Sequence, residues 1–300
     1  MKAVRLVMAL VLVLGLMTGA AAAAGYKVTL ITMDQMDRHW VSVNEGADRA
    51  AKEAGNVTYS WMAPDVKDDA KQIEMINNAV AGGANAILLA ANGPDAVTEA
   101  LKEAVAEGVK IIYVDSPANF PAEATFTTNN EAAGNTAGKE LIKALASAGV
   151  SEGKIGIVNV NAATASTVAR EKGFRAAFEG TKFTILETQY GEGDVLKSKE
   201  IADSYITQGV AGLFGANEGS STGVGNAIQE AGGKVLGVGF DQSDALRELI
   251  RNGFLIATMA QNPDVMGYEG LKAAVAVLEG KAVSKDPVDT GVTVLTKDKL

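Results

Sequence analysis

Residues 86–116 read AILLAANGPDAVTEALKEAVAEGVKIIYVDS, and this stretch decides the fold. Residues 86–90 (AILLA) are a short apolar run of strand length, closed by the breaker sequence Asn92-Gly93-Pro94. Residues 95–106 read as a helix, and residues 110–114 (KIIYV) as a second β-rich run. Strand, helix, strand in that order is the repeat of a parallel sheet covered by helices. The rhythm extends both ways. Upstream, residues 26–33 and 57–62 read as strands, and residues 40–54 and 68–81 as amphipathic helices. Downstream, strands are expected at 154–160, 181–188, 211–215, 234–238 and 255–259, each followed by a helical stretch. About five βα units precede residue 130 and about five follow it, which predicts an α/β chain of two similar doubly wound, Rossmann-like parallel-sheet lobes. In such sheets ligands sit at the carboxyl ends of the strands, so the site belongs in the cleft between the lobes.

Composition bounds the function. The chain has 300 residues, 47% hydrophobic and 21% charged, which fits two globular domains and excludes a disordered chain. It has no Cys, so disulfide scaffolds, thiolate zinc sites and cysteine nucleophiles are out; a single His, His39, argues against a multi-histidine metal centre. Lys2 and Arg5 precede an apolar run at residues 6–17 (LVMALVLVLGLM), then TGAAAAAG. That run is shorter than the ~20 residues a bilayer span needs, and the order of segments predicts a signal peptide over residues 1–24 and an exported mature chain. Removing Lys2 and Arg5 leaves 25 basic residues against 36 acidic ones, a charge of −11, with no dense basic run for nucleic acid.

Polar residues gather where the strands end. They include the run from Asp34 to Trp40, Asn92, Asp115, the stretch 161–167 ahead of Arg170, Asn217-Glu218, Asp241-Gln242 and Gln261-Asn262. Amides, carboxylates, a guanidinium and an indole are the groups that hold vicinal hydroxyls and stack on a sugar ring. Any one of them alone has the plainer reading of a helix cap or turn residue. The acids and lysines of 67–71 read as a solvated helix face. Other motifs fail: GVGNAI (223–228) and GEGDVL (191–196) hold two of the three glycines of a dinucleotide fingerprint, and no phosphate loop or nucleophile elbow is present.

The motifs VAREKGF with Arg170, FGANE with Asn217, GVGFD with Asp241, ATMAQNPDVMG with Gln261 and IIYVDSP with Asp115, in this order, resemble the ribose-binding-protein group of periplasmic sugar-binding proteins. The resemblance runs from about residue 26 to 300. It implies a type I periplasmic binding protein with three hinge crossovers: an N-lobe of 25–128 plus 262–288 and a C-lobe of 129–261 plus 289–300. It implies ligand contacts from Asp37, Trp40, Asn92, Asp115, Arg170, Asn217, Asp241 and Gln261, with His39 and Phe240 beside them. The implied function is capture of a sugar or sugar-like molecule by hinge closure and delivery to a membrane ABC permease from the periplasm, by a monomer with no cofactor, no metal and no catalysis. The alternative is a sensor module feeding a chemoreceptor or two-component kinase. A secreted sugar hydrolase lacks a nucleophile–base pair, and a sugar-responsive repressor would need a helix-turn-helix where the export signal stands. This chain departs from ribose binders at three places. His39-Trp40 replaces an aromatic pair, Ser116 replaces an arginine, and YGEGD replaces a second stacking aromatic. A larger sugar, a polyol or a furanone-like signal is therefore expected as readily as ribose.

Overall fold

The computed structural model describes residues 25–300; the expected signal peptide, 1–24, lies outside them. The first lobe opens with β1 (Tyr26–Ile31), α1 (Arg38–Ala54), β2 (Val57–Met62), α2 (Asp69–Ala81), β3 (Ala86–Leu89), α3 (Thr98–Ala106), β4 (Lys110–Val114) and β5 (Ala124–Thr127). The second lobe follows with α4 (Asn130–Ser147), β6 (Glu152–Asn159), α5 (Ala165–Ala177), β7 (Lys182–Ile185), β8 (Gln189–Tyr190), α6 (Val195–Thr207), β9 (Val210–Gly215), α7 (Glu218–Glu230), β10 (Leu236–Phe240), α8 (Asp244–Arg251) and β11 (Ala257–Gln261). The chain then returns through α9 (Pro263–Leu278) and β12 (Val288–Asp289) to the first lobe, and ends on β13 (Val292–Thr296) in the second.

The N-lobe sheet has the order β12-β5-β4-β3-β1-β2, all parallel. The C-lobe sheet has the order β13-β11-β10-β9-β6-β7, with β8 beside β6. Its pairs are parallel except at the edge, where β13 runs antiparallel to β11. The connection passes between sheets after β5, after β11 and between β12 and β13. At this hinge Thr128 Oγ1 donates to Gln261 Oε1 at 2.8 Å, tying two of the crossing strands together.

Both faces of each sheet are buried, which is why the strands read as unbroken apolar runs. Val28 and Leu30 of β1 join Leu88, Ile112 and Val114 under α1 and α9. Their neighbours Ile31, Ile87, Leu89 and Ile111 face the other way, onto α2 and α3. The C-lobe repeats the plan, with Phe174, Phe214 and Phe240 on one side and Val224, Ile228 and Leu249 on the other. Helix α1 forms because Val43, Ala47, Ala50 and Ala51 fall on one buried face, and it stops at Gly55, whose φ of 70° suits a residue without Cβ.

Four strands lay beyond the sequence reading, the two-residue β8, exposed at both positions, among them. The ATFT of β5 is half-buried at three of its four positions, β12 has two exposed residues, and β13 is an edge strand. Short, partly wet strands carry too little apolar pattern to stand out. The helix expected from residue 95 begins at Thr98; Asp95 instead starts a turn, its carbonyl accepting from Thr98 N, and its side chain takes Asn119 Nδ2 at 2.7 Å.

Candidate functional site

The strand ends of the two lobes meet. The strand orders β2-β1-β3-β4-β5 and β7-β6-β9-β10-β11 correspond position by position. Asp115, after β4, therefore corresponds to Asp241, after β10. Both hold left-handed backbone, with φ of 63° and 72°. Aspartate is among the few residues that tolerate this region, and residues held there cluster at functional sites. Helix α1, which carries His39 in its first turn, corresponds in the same way to α5, which carries Arg170 in its second.

Asp37, His39, Trp40, Asp115, Arg170, Asn217, Asp241 and Gln261 line one cavity between the lobes. The cavity is ≈20 Å³, room for about one water, so the lobes are closed on each other. His39 stands at the centre. Its Nε2 is 3.1 Å from Asp115 Oδ2 in its own lobe, and its Nδ1 is 3.4 Å from Asp241 Oδ1 across the cleft. The first contact is an ion-pair distance, off the line of a good hydrogen bond. Gln261 Nε2 donates to Asp241 at 2.6 Å. Arg170 donates through Nε to Asn130 Oδ1 and through Nη1 to Ala216 O, which fixes its fork. Its remaining nitrogen, Nη2, is buried without a hydrogen-bond partner, 3.8 Å from Asp115 Oδ2.

Burial by itself would push the His39 imidazole down, but Asp241 and Asp115 overcome it and raise its pKa to about 10. Burial would raise Asp241; the His39 charge outweighs this and holds it at about 2. The imidazolium is thus the charged form at neutral pH. The linkage fixes the sign of a pH effect. His39, raised above its ordinary 6.5, stabilises the closed fold fully below pH ~6.5 and ceases to do so as pH rises through 10. Asp241 contributes above its ordinary 3.8 and ceases to as pH falls through 2. The pair contributes in full only between these limits. Thermal midpoints are therefore expected to fall between pH 7 and 10 in the wild type, and this component should vanish in His39→Gln. Parallel profiles for the two proteins would remove the His39 charge from the closed fold.

Two expected residues stand off the cavity. Asn92 is turned into the N-lobe, its Nδ2 donating to Asp69 Oδ1 at 2.6 Å and its backbone N–H to Gln72 Oε1. Phe240 is fully buried in the C-lobe core, and the Arg170 guanidinium lies 4.3 Å from its ring centroid, so it supports Arg170 from beneath. Trp40 lines the cavity but is only 4% exposed; it gives Nε1–H to Asp34 and meets His39 edge-on at 4.7 Å. Asn217 has both of its readings at once. Its Oδ1 caps α7 at Ser220 N, while its Nδ2 faces Asp37 Oδ2 at 3.4 Å.

Lys67 corrects the sequence reading. It was expected on a solvated face, as Lys71 indeed is, yet its side chain is 7% exposed and lines the cavity. It pairs with Asp34 and lies 3.0 Å from Asp37 Oδ2. Two acids three residues apart at a strand end were the available signal: buried carboxylates need a counter-charge. Burial pushes Asp37 up more than Lys67 draws it down, whereas Asp34, which also accepts from Met36 N and Asp37 N, is lowered. Glu218, read from sequence only as a strand-end neighbour of Asn217, is buried against the first turn of α1. The lining then carries three acids (Asp37, Asp115, Asp241) and three bases (His39, Lys67, Arg170), equal in number, with Asp34 behind Lys67. A larger groove of ≈730 Å³ runs along β8 and α6 on the outside of the C-lobe, but none of the buried, unpartnered side-chain polar atoms among the described residues belongs to its lining.

Comparison with known proteins gives the following. The family described as periplasmic binding protein domain matches residues 28–282. A ribose import binding protein of Haemophilus influenzae is 28% identical over 286 residues, covering 93% of this chain and 95% of that one. Among solved structures, an ABC transporter solute-binding protein of Agrobacterium vitis with bound D-fucose aligns with a TM-score of 0.86 at 30% identity, over 91% of this chain and 96% of that one. A carbohydrate transporter solute-binding protein of Agrobacterium radiobacter, in complex with D-arabinose, aligns at 0.87 and 30%, over 92% and 96%.

Proposed function

Because the chain belongs to the periplasmic binding protein domain family, we propose that it binds a neutral sugar or sugar-like polyol between its lobes in the periplasm and hands it to an ABC permease. The observation that carries this reading is the convergence of Asp115 and Asp241, from equivalent positions in opposite lobes, on one cavity lined by equal numbers of acids and bases. Carboxylates and amides each take two hydroxyl contacts, and such hydrogen bonds contribute about 1.5–3 kcal/mol apiece. Equal numbers of acids and bases at the lining favour an uncharged ligand, since an added phosphate or ammonium would stand unpaired in a dry site.

Binding and release follow from the hinge. With the lobes apart the strand ends are open to solvent; with them together the contacts from both sides act at once, so ligand shifts the equilibrium toward closure. A sugar hydroxyl pair would take over the positions on Asp115 and Asp241 that the His39 nitrogens hold in this arrangement. In this reading a single chain is the binding unit. All three cavity acids face cations, so binding without turnover is the reading for the bound sugar.

Thermal shift on residues 25–300 tests this. The panel is D-ribose, D-allose, D-arabinose, D-fucose and neutral polyols, against sugar phosphates, sugar acids, amino sugars and amino acids. A ligand at 100 times its Kd stabilises the fold by about 2.7 kcal/mol, which is several degrees at this chain length. A shift with one or more neutral compounds is expected, with the sugar recovered unchanged. Shifts confined to charged compounds would overturn the neutral-sugar reading.

A further inference from the structure

Two helices carry cations into the cleft: α1 brings His39 and α5 brings Arg170. Both begin without a cap of their own. Asp37, at the N-cap of α1, makes no side-chain cap hydrogen bond, and α1 has no acid in its first turn; Thr164, at the N-cap of α5, makes none either. Of the other helices, α2, α4, α6, α7 and α8 are capped by their own Asp, Asn or Ser, whereas α3 and α9, like α1 and α5, are not. Two first-turn N–H groups of α1 and one of α5 are satisfied from the opposite lobe. Glu218, on the C-lobe, accepts from Arg38 N through Oε1 at 3.1 Å and from His39 N through Oε2 at 3.0 Å. Ser116, on the N-lobe, accepts from Ser166 N through Oγ at 3.3 Å. Thr164 Oγ1 also crosses the cleft, donating to Asn92 O at 2.7 Å.

We propose that Glu218 and Ser116 are positioning residues for closure: each caps the uncapped cleft helix of the other lobe, so that the closed form is held by protein contacts as well as by ligand. The first turns of helices have unsatisfied N–H groups and a positive end, so an acceptor arriving from across the cleft adds to closure only when the lobes meet. Glu218 suits the role because a carboxylate takes both N–H groups of α1 at once. Ser116 suits it because its side chain is short: it reaches α5 without entering the cavity. Neither residue has to touch the ligand. The inference rests on the hinge-closing reading of the fold and not on the ligand's being a sugar.

The chain has no cysteine, so spin labels go on cleanly at Val66→Cys and Leu196→Cys. These exposed positions lie in different lobes, near Lys67 and Gly193, which approach one another across the cleft mouth. Electron–electron distance measurements on dialysed protein, without added sugar, should show a closed component. In Glu218→Ala the closed-to-open ratio should fall about tenfold, as two cap hydrogen bonds are lost, and in Ser116→Ala about threefold. Glu218→Gln, which keeps an acceptor, should fall between Glu218→Ala and the parent. A thermal melt should show each variant still cooperatively folded. Absence of any closed component without sugar, or ratios within twofold of the parent in both alanine variants, would overturn the proposal. If the ratios shift as stated but no sugar of the panel increases closure, trans-lobe capping stands and the sugar reading falls.

Discussion

Asp241→Ala should weaken binding of whichever neutral sugar stabilises the wild type by 100-fold or more. Asp241 is 4% exposed, and its Oδ1 takes Gln261 Nε2 at 2.6 Å and lies 3.4 Å from His39 Nδ1. Removing one partner of a buried charge pair costs about 3–5 kcal/mol, and every 1.4 kcal/mol is tenfold in affinity. The fold itself should lose less, because the orphaned His39 can shed its proton once Asp241 no longer holds it. Titration calorimetry reads the affinity and a thermal melt reads the fold. Asp241→Asn should be intermediate, since the amide keeps an acceptor but not the charge. An affinity for Asp241→Ala within threefold of the wild type would take Asp241 out of the site.

Gly173→Ala should lower the thermal midpoint by about 6–12 °C. Helices α4 and α5 pack closely enough that a Cβ on Gly173 would stand 1.9 Å from Glu131 O and 2.9 Å from Asn135 N. These are backbone atoms of a packed helix, so relief requires the helices to separate. Overpacking of this kind costs up to ~3 kcal/mol, and each kcal/mol is about 2–4 °C for a chain of this size. Because α5 also carries Arg170, sugar affinity should fall with stability. The N-lobe repeats the device, with Gly267 of α9 meeting Val43 O of α1 at 1.9 Å. A calorimetric midpoint within 2 °C of the wild type would show that α4 and α5 separate at little cost.

The polar strand-end residues were legible because a parallel sheet puts functional groups where its strands end, and the strand ends can be read from local pattern. Asp115, Asp241 and Gln261 are of this kind, and Arg170 follows on the helix after such an end. Asn92 occupies the same kind of position, yet its amide is drawn to Asp69, which belongs to the neighbouring helix α2. Phe240 sits beside Asp241 in sequence, but strand alternation turns it to the opposite face, under Arg170. Lys67 and Glu218 carried only weak marks, the acid pair Asp34 and Asp37 for the one and a place beside Asn217 for the other. Lys67 looks like its solvated neighbour Lys71 until the turn of Asp34 and Asp37 is placed against it. Glu218 looks like an ordinary first-turn acid of α7 until α1 arrives from the other lobe.

The sequence by itself determined the α/β class, the doubling of the fold, the lack of thiol and multi-histidine chemistry, and the set of polar residues offered at the strand ends. Those features depend on periodicity and composition, which are properties of neighbours along the chain. Only the tertiary structure decided which of those residues converge, that His39 is held as a cation between Asp115 and Asp241, that acids and bases are equal in number at the cavity lining, and that each lobe caps the other's cleft helix. Protonation, charge balance and capping depend on distances of a few ångströms between residues up to about 200 positions apart, and those distances are set by the packing of two lobes.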